Sequence, residues 1–377
     1  MEKKLNSDND TMEKLVYDDT WYEIIKSRKH IRISGELPVD PDKVRKDQPE
    51  NAWEILVRDD INIESNSQFV HETMASPSLT LHHPNDIYIY PGDKQKAESI
   101  RQNYGTFVLS SSAKSSKNLK RHWDKEPLTK SEYSWKEFLN RYHIGEEIPS
   151  NSLIIIDRYL FSPNEGMDYR NGIRNLRAIL DELLPKTFSD EYQIMLIFDD
   201  TKFATPNKEK QLVREGRLKE FNECKLREVV KAIQFIKKDI RPYVPIIEIL
   251  TINSEAGHEI YSETHDRRII SSYFSIKATR GFSAFLPEEA SKYEIIYSGP
   301  NYATWKQQLN FDSIYANIDN EDQDKKSLPI HSNENTISEI KKYISGLKGE
   351  EKGFKYIYNG NYRCHISELR NRLLQES

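Results

Sequence analysis

The stretch SETHDRRIISSYFSIKATRGFSAF, residues 262–285, sets His265, Asp266, Arg267 and Arg268 directly before an apolar run, with Lys277, Arg280 and Gly281 following it. These residue types suit anion chemistry. A guanidinium holds a phosphate through a fork of parallel N–H···O bonds. A glycine beside Arg280 lets a ligand come close to the backbone. A histidine in such a setting can attack phosphorus or move a proton. On residue types alone, two readings are open: a site for phosphate or phosphodiester, and a polar turn without chemistry.

A second set consists of acids that close apolar runs. Asp157 follows LIII, and Asp199-Asp200 follows IMLIF. Three acids at strand ends can hold a divalent cation. They can equally cap turns or pair with Arg158 and a nearby basic segment. Their spacing matches no dedicated metal motif, so neither a metal nor a cofactor is expected. Asp157 is expected to pair with an arginine or with the His265 turn.

The elements that must carry these residues are readable from periodicity. NDIYIYPGDKQKAESIRQNYGTFVLSSS predicts strand, turn, helix and strand, with the extended parts at Ile87–Tyr90 and 106–109. YSWKEFLNRYH predicts a short amphipathic helix. NSLIIIDRYLF, YQIMLIFDD and PIIEILTIN predict buried strands. YRNGIRNLRAILDELLP predicts a helix, and residues 208–241, with eleven Lys/Arg against six Asp/Glu, a long mostly helical segment. The opening stretch supplies strands at 268–273 and 273–277. Continuous apolar runs alternating with helices indicate an α/β layer with a largely parallel sheet. TISEIKKYISGLKG and HISELRNRLLQES predict terminal helices.

The 377 residues suit two domains, and the formal net charge of −5 argues against a protein built mainly to coat nucleic acid, although a local basic face is compatible with it. SSSAKSSKNLKRHWDKEPLTKS reads as a basic loop carrying Trp123, a ring that can stack on a base. No apolar run reaches the roughly 20 residues of a membrane span. Cys224 and Cys364 form no metal-type pair, and MEKKLNSDNDTMEK has no apolar signal core, so a cytoplasmic setting is expected. The division expected is a frayed 1–20, an N-terminal α/β accessory region 21–125, a main domain 130–317, a linker 318–335 and a C-terminal helical segment 336–377.

His265-Asp266-Arg267-Arg268-Ile269-Ile270, with Arg280-Gly281-Phe282 and Phe285 downstream, resembles the HDR and RG-aromatic signature of phospholipase-D-like domains. The subgroup is the one at the C-terminus of MIT-domain-containing abscission proteins and in bacterial relatives. LIIIDRYLF resembles the strand of that domain that bears an Asp and a Tyr, here Asp157 and Tyr159. The resemblance covers residues 130–305. It implies a mixed sheet flanked by helices, with Asp157, Tyr159 and Asp266 supporting the site. Catalytic members of the family carry His-x-Lys-x4-Asp twice per active site. Here Arg267 stands at the Lys position, Ser272 at the Asp position, and no second His-x-Lys occurs.

Three functions follow as expectations. The first is a phosphodiester-binding module with Arg267, Arg268, Lys277, Arg280 and Gly281 as the anion cradle. The second is a phosphodiesterase or nuclease in which His265 is the nucleophile and a homodimer brings two copies together. The third is a non-catalytic scaffold. The ligand expected is nucleic acid or an anionic lipid head group, with nucleic acid favoured, in a bacterial cytosol.

Overall fold

Ser-Leu-Ile-Ile-Ile at 152–156 offers no polar alternation, and a strand of this kind is stable only when both of its faces are covered. In the computed structural model it is the centre of the molecule. The structure describes residues 31–33, 63–65, 75–82, 84, 87–90, 94–110, 126–128, 144, 148–163, 169–252, 258–261, 267–278, 295–298, 333–347, 357–359, 362–364 and 369–375.

The elements are β1 (Ile31–Ile33), β2 (Ile63–Ser65), β3 (Ile87–Tyr90), α1 (Lys94–Tyr104), β4 (Phe107–Ser110), β5 (Glu126–Leu128), β6 (Ser152–Ile156), α2 (Tyr169–Leu183), β7 (Gln193–Phe198), α3 (Pro206–Arg214), α4 (Leu218–Asp239), β8 (Ile246–Thr251), α5 (His258–Tyr261), β9 (Arg267–Ser271), β10 (Ser275–Ala278), β11 (Ile295–Ser298), α6 (Asn333–Leu347), β12 (Ile357–Asn359) and β13 (Tyr362–Cys364). Among the described residues they form two sheets. The larger has the order β13-β12-β8-β7-β6-β9-β10-β11-β5, and the smaller β2-β1-β3-β4.

The large sheet is mixed rather than largely parallel. Only β6, β7 and β8 run parallel. β9 returns antiparallel on the other side of β6, followed by antiparallel β10, β11 and β5. The expected strand 268–273 and its partner are the hairpin β9–β10. Pro127 lies on the terminal strand β5, where a missing N–H costs no ladder bond on the open side.

Each face of β6–β9 carries its own core. On one face Leu153, Ile155, Leu196, Ile249 and Ile269 meet Leu176, Ile179, Leu180 and Leu183 of α2 and Leu226, Val229, Val230, Ile233 and Ile236 of α4. That spacing is the apolar stripe of a core-facing helix. On the other face Ile154, Ile156, Met195, Leu250 and Ile270 meet Ile337, Ile340 and Ile344 of α6, Tyr261 of α5 and Leu373. A fully buried Leu or Ile of this kind contributes about 1.5–3 kcal/mol, so the sheet is a stable platform for whatever its edge carries.

Segment 208–241 is two helices, not one. Gly216, at φ +67°, accepts the left-handed conformation that ends α3. Its N–H bonds Val213 O at 3.1 Å, and Arg217 N–H bonds Leu212 O at 2.9 Å, the Schellman pattern that closes a helix.

Among the described residues of the C-terminal segment 336–377, expected to be helical, α6 is the only helix. The hairpin β12–β13 adds to β8 as a sheet edge. Residues 369–371 are irregular and 372–374 form a turn, tied to the parallel strands by buried side chains. Glu248 accepts the N–H groups of Arg370 (2.6 Å) and Asn371 (3.1 Å), and Gln193 accepts that of Arg372 (2.7 Å). The small sheet joins the main core directly. Phe107 packs edge-on against Tyr273 at 5.5 Å, and Asn151 Nδ2 donates to Pro84 O and Gly105 O, each at 3.3 Å. The expected amphipathic helix 133–143, residues 1–20, and Trp123 lie outside the described residues.

Candidate anion site at the sheet rim

The C-terminal end of β6 is a switch point: the chain leaves it toward β7 on one side, and β9 fills the other. Open α/β sheets form a crevice at such points. Continuing the β6–β9 register by one step from Ile156↔Arg268 brings Asp157 opposite Arg267. They make an ion pair, Arg267 Nε to Asp157 Oδ1 at 3.3 Å, with side-chain exposures of 13% and 6%. The expected partner of Asp157 is therefore an arginine, the third residue of His-Asp-Arg.

The turn after β6 is built by the same carboxylate. Asp157 Oδ1 also accepts Tyr159 N–H at 2.9 Å, and Asp157 O accepts Leu160 N–H at 3.1 Å. An aspartate that bonds the backbone two residues on sets such a turn locally. Asp199 does the same after β7, accepting Thr201 N–H at 2.9 Å and Thr201 Oγ1–H at 2.6 Å. Phe161 stacks edge-on against Phe198 at 4.8 Å and ties the two turns together from below. α2 presses on the first turn at Gly172, where an added Cβ would lie 2.0 Å from Leu160 O. Only glycine permits that approach, and the approach positions the rim.

Two guanidiniums lie over the Tyr159 ring. Arg158 lies 5.0 Å from the ring centroid and Arg267 5.4 Å. Cations stack on an aromatic face in this range. Arg158 has a partly exposed side chain, and its Nε, without a hydrogen-bond partner among the described residues, sits 3.9 Å from Asp199 Oδ2. Burial pushes the Asp157 carboxyl above its usual range, against the opposing pull of the Arg267 charge and the Tyr159 N–H. Burial likewise holds the Tyr261 hydroxyl well above its usual range, helped by the charges of Asp199, Asp200 and Asp157. Tyr261 donates to Ile252 O at 2.7 Å. The rim thus carries two guanidiniums fixed in place by carboxylates and one shared ring, an arrangement able to hold a planar or tetrahedral anion but not to supply a proton by itself.

The sequence-based candidates divide. Arg267, Asp157 and Tyr159 come together. Arg268 does not join them, because neighbouring strand residues face opposite ways. It is buried on the other face and hydrogen-bonds Thr336 of α6. Lys277 stands opposite Arg268 in the β9–β10 register. His265, Asp266, Arg280 and Gly281 lie outside the described residues. Ser272 lies at the far end of β9 and is structural, donating to Asn151 Oδ1 at 2.6 Å. Asp157 and Asp199 spend their Oδ1 atoms on turns, and no group of three or more His, Cys, Asp or Glu is placed to hold a metal ion among the described residues. No helix among them is long and apolar enough to cross a membrane. Arg158 is the rim residue that sequence reasoning ranked too low. Its signal was its place directly after the strand-closing Asp157, in DRY.

Comparison with protein-family models, with curated proteins and with solved structures found no match to this chain.

Proposed function

We propose that this chain binds a phosphodiester, most readily that of a nucleic acid, at the rim formed by the C-terminal end of β6 and the start of β9, and that it is a phospholipase-D-like protein with a single, altered His265-Asp266-Arg267 motif. The observation that carries the reading is the pinning of Arg267 by Asp157 beside Tyr159, with Arg158 on the same ring. Arg267 is the motif residue where catalytic relatives of the resembled family have Lys. A guanidinium stays charged and grips an oxyanion by a fork, but it does not transfer protons. Binding rather than turnover is the function such a site serves. Asp157 supports it by orienting Arg267, and His265 precedes Arg267 by two positions in the sequence.

The test is titration of a fluorescein-labelled oligothymidylate against the full chain and its R267K and R158Q variants. R267K keeps the charge beside Asp157 and loses the fork. Each variant should bind about tenfold or more weakly, as expected for a lost charge-assisted hydrogen bond of about 1.5–3 kcal/mol. Wild-type affinity in both variants would overturn the reading. Strand cleavage that disappears in H265A, with binding kept, would replace it by the phosphodiesterase.

A further inference from the structure

The outer face of α4 carries a feature that the rim does not use. The inner face is committed to the core through Leu226, Val229, Val230, Ile233 and Ile236. Opposite it, Arg227, Lys231, Phe235 and Lys238 are all exposed. At 3.6 residues per turn, Arg227, Phe235 and Lys238 fall within about 40° of Lys231 around the helix axis, so the four form one strip roughly 16 Å long. Phe235 is 71% exposed, the most exposed of the large apolar side chains among the described residues.

A single exposed ring is ordinary. Its cations are not. Lys231 and Lys238 make no ion pair or hydrogen bond among the described residues, and Arg227 Nε bonds only Glu223 O of its own helix, at 3.3 Å. On the flank of the same helix Lys225 is paired with Glu228 at 2.8 Å, so acids are placed where a cation is to be neutralised. The exposed acids Glu223 and Asp239 stand about 80° to either side of the strip, and Glu220 lies beyond its N-terminal end.

We propose that this strip is a docking surface for single-stranded nucleic acid, with Phe235 stacked on a base and Arg227, Lys231 and Lys238 following the phosphates. Stacking on an isolated ring between backbone-tracking cations is how strands are held without sequence preference. A membrane surface is the poorer fit. It needs a bulky apolar face, and the apolar face of α4 is inside the core. The strip uses none of the rim's residues and does not depend on the rim's function.

The experiment uses the full chain, a labelled oligothymidylate, and in parallel vesicles of phosphatidylserine and phosphatidylcholine. F235A should weaken oligothymidylate binding about tenfold, and F235W should retain it. K231Q/K238Q should reduce the slope of log affinity against log salt by about 1.4, or 0.7 for each single-strand phosphate neutralised. Thermal melting should be unchanged, since all three side chains are exposed. The inference is overturned if the wild type does not bind the oligonucleotide, if both variants keep its affinity and salt slope, or if they lose vesicle binding alone. R158Q separates the two surfaces. Loss with R158Q but not F235A leaves the rim standing and removes the strip, and the opposite result removes the rim.

Discussion

Glu248 is a lone acid inside the apolar strand PIIEILTIN, and it is completely buried. Its carboxylate accepts the Arg370 and Asn371 N–H groups, yet burial outweighs them and pushes its pKa from 4.5 up to about 7. The sign follows directly. The folded state keeps the proton over a range where the unfolded chain releases it, so the native state binds more protons and stability falls as pH rises. The contribution is fully present below pH 4.5 and is lost once pH passes about 7. A shift of this size corresponds to about 3 kcal/mol. E248Q removes the titration. It also turns an amide NH2 toward one of the two N–H donors, which costs about 1–3 kcal/mol at every pH. Urea unfolding followed by circular dichroism between pH 4.5 and 8.5 should therefore show the wild type well above E248Q at the acid end, with the gap closing by about 3 kcal/mol toward pH 8. Parallel profiles would refute the reasoning. A gap that widens with pH would show that the two N–H donors, not burial, decide the state of Glu248.

Removing one partner of the Arg267–Asp157 pair strands a buried charge, so R267A should lose about 3–5 kcal/mol in denaturant unfolding, and R267A/D157N should recover most of it. If the double variant is no better than the single, the loss is not a stranded charge. G172A should destabilise by about 1–3 kcal/mol despite the better helix propensity of alanine, because its Cβ meets Leu160 O at 2.0 Å. An unchanged melting temperature would show that α2 can retreat from the rim. N371A leaves Leu153 O and Leu373 N–H without their 3.1 Å partner and should cost about 2–3 kcal/mol by the same assay. A loss below half a kcal/mol would mean that the C-terminal turn does not close the sheet.

The parallel centre of the fold is legible because β6 and β7 are written as apolar runs, β8 as one interrupted by Glu248, and α2 and α4 as clean stripes. What escaped was decided by tertiary contacts. HISELRNRLLQES has helical spacing, but Glu248 and Gln193 capture the N–H groups of Arg370, Asn371 and Arg372 and hold 369–374 out of a helix. The lone Glu in an apolar strand was the available signal, since a buried acid needs donors. β12 and β13 are three residues each, too short for any period to show. At the site, Asp157, Tyr159 and Arg267 were readable as one group. β9 starts at Arg267, one residue before the expected 268, and strand alternation sends Arg268 to the opposite face. Gly216 in REGRL marks the helix break, a weak signal within a charge-rich segment.

The most direct test of phosphodiester binding at the rim is positional. An oligothymidylate carrying 4-thiothymidine, bound near saturation and irradiated, should crosslink to the peptide that spans Asp157–Pro163, through Tyr159, and free phosphodiester competitor should suppress the adduct. Crosslinks confined to other peptides, with none on 157–163 at saturation, would contradict the account.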